Sequence, residues 1–93
     1  MDIQRIGIVG AGQMGNGIAH VMALAGYDVL LTDISADALQ NAIDLIDRNL
    51  ERQVGRGKID EAEKTKAMAR IKTTVTLTEL GQTDLVIEAA TER

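Results

Sequence analysis

The chain is 93 residues long, the size of one small domain, and its 45% apolar and 26% charged content is that of a globular protein rather than a disordered one. A net charge of −4 without a basic, aromatic-interleaved patch argues against nucleic acid as a partner, and the absence of cysteine excludes disulfides, thiolate metal sites and a cysteine nucleophile. The longest apolar run, Val21 to Ala25, is far shorter than the roughly 20 residues that span a bilayer, so no membrane partner is expected; a cysteine-free chain also fits a reducing compartment, and a cytoplasmic location is expected.

Arg5 to Val9 is short, rich in β-branched residues and bounded by glycine, and reads as a buried strand. A helix is expected over Met14 to Ala25, with Met14, Ile18, Val21, Met22 and Ala25 as its apolar stripe and Gly26 as its left-handed stop. "DVLLT", Asp28 to Thr32, is a second buried strand. Ser35 caps the next helix and Asp37 favours its first turn. Leu39, Ile43, Ile46, Leu50 and Val54 give that helix a strong amphipathic stripe, which ends at "GRGK", Gly55 to Lys58. Asp60 and Glu63 have the spacing of a capping box and open a further helix to about Arg70. "TTVTL", Thr73 to Leu77, is a third strand, "TELGQT" a turn or short helical piece, and "DLVIEAA", Asp84 to Ala90, a fourth strand. The order β-α-β-α-α-β-β implies an α/β fold with a parallel sheet and right-handed crossovers. The link between the last two strands is short for such a crossover, so a compact turn has to carry the chain across the end of the sheet.

The stretch "IGIVGAGQMGNGIAH" joins the first strand to the first helix through Gly10-Ala11-Gly12-Gln13-Met14-Gly15, a G-x-G-x-x-G motif. Strand before and helix after are the context that gives this motif meaning. Gly10 permits the tight turn, Gly12 lets a ligand approach the backbone, and Gly15 lets the helix pack close to the strand. Free N–H groups at the helix start, those of Gln13 and Met14, then face a pyrophosphate. Asp33 ends the second strand, 23 residues after Gly10, where a carboxylate accepts hydrogen bonds from the adenosine ribose. It repels a 2′-phosphate, and no Arg or Lys between Asp33 and Asn41 offsets that, so NAD(H) is expected over NADP(H). The expected architecture is a Rossmann-type parallel sheet of about four strands.

"IGIVGAGQMGNGIAH", "GYDVLLTDIS" and "DLVIEAATE" together closely resemble the L-3-hydroxyacyl-CoA dehydrogenases, and most of all their stand-alone bacterial 3-hydroxybutyryl-CoA members. The resemblance covers essentially the whole chain. It implies an NAD-dependent oxidoreductase that interconverts 3-hydroxyacyl-CoA and 3-ketoacyl-CoA in fatty acid metabolism, with an acyl-CoA substrate. Gly10, Gly12, Gln13, Met14 and Gly15 match the family's pyrophosphate loop and Asp33 its ribose acid. Ala89, Ala90 and Glu92 match the segment beside the nicotinamide ribose, although Arg93 stands where relatives often carry Asn. The long helix and its following turn approach the CoA nucleotide in the family, which makes Asn49, Arg56 and Lys58 substrate candidates; a solvated inter-helix loop is the competing reading.

The family's catalytic His–Glu pair and its supporting Ser and Asn have no match here, so the chain is expected to be the first half of a cofactor domain, residues 1–93, inactive by itself. A non-catalytic NAD-binding module of the same family is the alternative. His20, mid-helix, does not match the catalytic position and is expected to be structural. Glu88 lies in an apolar strand and is expected to support the site from behind or face the cleft. The acids of the helices read as solvated faces, so no metal site is expected. An uncovered sheet edge predicts self-association.

Overall fold

The computed structural model describes residues 2–90. Strands β1 (Arg5–Val9), β2 (Asp28–Thr32), β3 (Ile71–Thr74) and β4 (Leu85–Glu88) form one parallel sheet in the order β3-β2-β1-β4. Helix α1 (Gln13–Leu24) joins β1 to β2, and α2 (Ala36–Gly55) with α3 (Glu61–Arg70) joins β2 to β3. These helices cover one face. There Ile6, Ile8, Val29, Leu31 and Ile71 from the sheet pack with Ala19, Ala23, Leu39, Ile46, Leu50 and Ala67.

The link from β3 to β4 travels back across the sheet, so right-handedness puts it on the other face. A 3₁₀ turn over Leu77–Gln82 makes this crossing, which is the compact link that the sequence requires. Gly7 lies between the core residues Ile6 and Ile8 and therefore faces away from the helices. A Cβ there would lie 2.5 Å from Leu80 Cδ2 and 3.1 Å from Thr83 Oγ1, so glycine lets the turn seat against β1. Asp84 fixes the entry to β4. Its Oδ2 accepts from the N–H groups of Gln4 and Arg5 at 2.9 and 3.0 Å, and its own N–H donates to the Arg5 carbonyl at 2.8 Å.

Three expectations are corrected. The third strand starts at Ile71 rather than Thr73 and ends at Thr74, because its register with β2 runs from Val29 to Thr32 and stops where β2 stops. Val75 and Leu77, expected inside it, are exposed. On α1 the buried residues are Gly15, Asn16, Ala19 and Ala23, whereas Met14 and Val21 are each 60% exposed. The helix lies close to the sheet and its neighbouring helices through its small side chains, and half-buried Ile18, Met22 and Leu24 pack against the same core. Finally, β4 is shorter than Asp84 to Ala90, and as an edge strand it leaves Leu85 and Val86 exposed.

Candidate functional site

The sheet's carboxyl end carries a loop held from three sides. Gly10 has φ +106°, a conformation that favours glycine, and its N–H donates to the Thr32 carbonyl at 2.8 Å. A Cβ at Gly10 would sit 2.7 Å from the Ala90 nitrogen, and one at Gly15 would run into the Gly10 carbonyl. These two glycines are therefore demanded by close packing of the loop against residue 90 and of α1 against the loop. Gly12 differs: a Cβ there meets nothing within 4 Å, so the loop is open on that side.

Gly12 is also the N-cap of α1, and no side chain caps this helix or supplies an acid in its first turn. The first bond of the helical turn runs from the Asn16 N–H to the Gly12 carbonyl at 2.9 Å. The N–H groups of Gly12, Gln13, Met14 and Gly15 consequently have no partner from the helix's own ladder. Four donors and the positive end of the helix dipole, beside open space, form an anion-accepting arrangement.

Half-buried Asp33 stands across from this loop at the end of β2. Its Oδ2 accepts from the Ala11 N–H at 2.9 Å and its Oδ1 from the Ser35 N–H at 2.9 Å. Each oxygen keeps acceptor capacity for a ligand hydroxyl, because a carboxylate has about four lone-pair sites. The Ala11 bond was not legible in the sequence, and it removes that N–H from the set facing an anion. Thr32 was also missed. Fully buried, it donates its hydroxyl to the Ile8 carbonyl at 3.0 Å. The available signal was a lone polar residue ending an otherwise apolar strand. Ile34, next to Asp33, is 90% exposed and offers an apolar surface at the same rim.

The structure brings Ala89 and Ala90 to the loop. Ala89 is buried and its N–H bonds the Val9 carbonyl at 2.8 Å, and residue 90 touches Gly10 as described. Glu92 lies outside the described residues. Glu88 is exposed at the end of β4, paired in register with Val9. Asn49, Arg56 and Lys58 are not gathered with the loop. Asn49 Oδ1 accepts from Arg52 Nη1 at 3.1 Å, while Arg56 and Lys58 are exposed beyond the far end of α2, about 30 Å of helix from its capped start. His20 Nε2 lies 2.8 Å from Gln53 Oε1, joining α1 to α2 away from the loop. A 380 Å³ cavity involving Arg5, Asp28, Lys72 and Gln82 opens at the strands' amino ends, distant from this site. Among the described residues no helix is long and apolar enough to cross a membrane.

A parallel α/β sheet with a glycine loop opening a helix and an acid ending the second strand defines a dinucleotide-binding fold. The family described as "3-hydroxyacyl-CoA dehydrogenase, NAD binding domain" matches residues 5–93, and the chain belongs to it. A 3-hydroxybutyryl-CoA dehydrogenase of Bradyrhizobium diazoefficiens is 53% identical over 91 residues, covering 98% of this chain and 31% of that protein. A 3-hydroxyadipyl-CoA dehydrogenase of Escherichia coli is 43% identical over 93 residues, covering 100% of this chain and 20% of that protein. The crystal structure of an (S)-3-hydroxybutyryl-CoA dehydrogenase from Ralstonia eutropha superposes with a TM-score of 0.95 at 46% identity, covering 99% of this chain and 32% of that one. The chain thus spans about a third of the 3-hydroxybutyryl-CoA dehydrogenases it matches. NAD is the cofactor of the family, and the donors and acceptor described above suit it.

Proposed function

We propose that residues 1–93 form the first half of the NAD-binding domain of a 3-hydroxyacyl-CoA dehydrogenase, with 3-hydroxybutyryl-CoA and its 3-keto form as the substrate pair. The observation that carries this reading is the opposition of Asp33 to the unpartnered N–H groups of Gly12 to Gly15. The high identity to 3-hydroxybutyryl-CoA dehydrogenases selects the substrate class. In this reading the N–H groups of Gln13 and Met14, with the openness at Gly12 and the close packing at Gly10 and Gly15, hold the pyrophosphate. Asp33 accepts from the adenosine ribose hydroxyls. Ala89, Ala90 and Glu92 flank the nicotinamide ribose. Bound NAD supplies the hydride chemistry; these residues bind and orient it.

Asn49, Arg56 and Lys58 are left as CoA contacts made at a distance from the cofactor loop. His20, engaged with Gln53, supplies no base at the cofactor, so the 93-residue chain is expected to show no acetoacetyl-CoA reduction by NADH. A cytoplasmic location and a place in fatty acid metabolism belong to the same reading. So does self-association through the open strand edges and the exposed Leu85 and Val86.

Calorimetric titration tests the cofactor assignment. NADH is expected to bind, and NADPH to bind more weakly by at least about tenfold, because a 2′-phosphate would meet the Asp33 carboxylate. Equal affinities would remove Asp33 from the ribose, and absence of NADH binding would remove the reading itself. A second reading, a non-catalytic NAD-binding module, predicts the same titration and differs in the complete protein, where it leaves no dehydrogenase turnover.

A further inference from the structure

The end of β2 is bonded to β1 and to the glycine loop that follows it at three points. The buried Thr32 hydroxyl donates to the Ile8 carbonyl, the Gly10 N–H donates to the Thr32 carbonyl, and the Ala11 N–H donates to Asp33 Oδ2. Asp33 is in turn held by the Ser35 N–H at its other oxygen and by its own N–H to the Thr74 carbonyl at 3.3 Å. The carboxylate is therefore held between the loop and the start of α2, while its backbone is held to β3. The loop it grips contains Gly10 and Gly12, the residue type with the most backbone freedom to lose. Without an anchor, the N–H groups at the start of α1 are poorly pre-arranged, and ordering them on binding subtracts from affinity.

We propose that Asp33 is a positioning residue for the glycine loop, with Thr32 as its partner, in addition to any contact it makes with ribose. The inference rests on the cofactor reading above. It separates two effects of one side chain. The negative charge of Asp33 opposes an approaching pyrophosphate, while its acceptor oxygen holds Ala11 and keeps the loop in binding shape. Asp33→Asn removes the charge and leaves one acceptor oxygen for the Ala11 and Ser35 N–H groups to share, whereas Asp33→Ala removes the charge and every acceptor. The ratio of their affinities isolates the acceptor.

The experiment uses the 93-residue chain with two probes, NADH and an NAD analogue carrying 2′,3′-dideoxyadenosine, which has no adenosine ribose hydroxyl to bond. The analogue is expected to bind Asp33→Ala about five- to tenfold more weakly than Asp33→Asn, the worth of one anchoring hydrogen bond. Thr32→Val is expected to weaken both probes by about threefold, and Thr32→Ser to restore them. Equal analogue affinity in Asp33→Ala and Asp33→Asn overturns the proposal and leaves Asp33 a ribose acceptor alone. Amide hydrogen exchange of the ligand-free chain gives a readout independent of the cofactor. The Gly10 and Ala11 N–H groups, bonded to the Thr32 carbonyl and to Asp33, should exchange at least about tenfold faster in Asp33→Ala, while Ala89, bonded to the opposite side of β1, stays unchanged. Should wild type fail to bind NADH, the cofactor reading falls, and unchanged exchange at Gly10 separately defeats loop positioning. A uniform rise in exchange across all strands marks general destabilisation and also overturns it.

Discussion

Gly15 and Gly17 are two residues apart in α1 and face different surroundings. Gly15 packs against the Gly10 carbonyl, and Gly17 has open space where a Cβ would go. Gly15→Ala is expected to lower stability by about 1–3 kcal/mol through overpacking against backbone and to abolish NADH binding. Gly17→Ala is expected to raise stability by about 0.5–1 kcal/mol through helix propensity alone. Chemical denaturation of both variants checks the opposite signs. Asp84 sets a pH dependence. Hydrogen bonds from the Gln4 and Arg5 N–H groups hold its carboxyl below its ordinary value of 3.8. A depressed acid contributes stability that is present above the ordinary value and is lost as pH falls through the lower folded one. Asp84→Asn should therefore be less stable than wild type at pH 7, with the gap closing in denaturation curves taken below 3.8.

At the scale of elements, capping logic was readable in the sequence and is realised in the fold. Ser35 Oγ accepts from the Ala38 N–H at 3.1 Å, and Asp60 and Glu63 exchange bonds at 2.7 and 3.0 Å. Asp60→Ala is expected to cost about 1 kcal/mol and to lower the thermal midpoint. Caps are legible because both partners lie within one turn. The contacts between elements are not legible in that way. Lys64 on α3 reaches Asp47 and Glu51 on α2, and its ammonium is raised above 10.5, chiefly by the Glu51 hydrogen bond. Such a raised base adds stability below its ordinary value and loses it only in strong alkali, so this clamp persists through the neutral range. Arg70 Nη1 donates to the Ala23 carbonyl at 2.8 Å, placing a cation at the negative end of α1. Neither partner choice follows from sequence spacing. The orientation of α1 is only partly legible for the same reason: Ile18 and Met22 of its apolar stripe pack against the core, while Met14 and Val21 of that stripe face outward.

Over the whole molecule the sheet is unequally covered. Three helices protect one face, and a short 3₁₀ turn reaches only part of the other. Val75, Leu77, Leu85 and Val86 are all about half exposed, and among the described residues β3 and β4 are the outer strands of the sheet. Self-association is the proposed consequence, and sedimentation at several concentrations is expected to show a rising mean mass. A concentration-independent monomer would count against edge pairing. The cofactor reading does not depend on this outcome, because the loop and Asp33 lie at the strands' carboxyl ends, not along an edge.

The amino-acid sequence by itself determined the order of strands and helices, the caps, and the glycine loop between the first strand and the first helix. Each of these is a local pattern: a two- or 3.6-residue period, a capping pair, or glycines at fixed offsets between a strand and a helix. Tertiary structure alone decided that α1 buries its small residues, that β3 begins at Ile71, and that the Asp33 carboxylate accepts from the Ala11 N–H of the loop. Those outcomes depend on how closely separate elements approach one another, a distance set by packing across the whole sheet and written in no single stretch of chain.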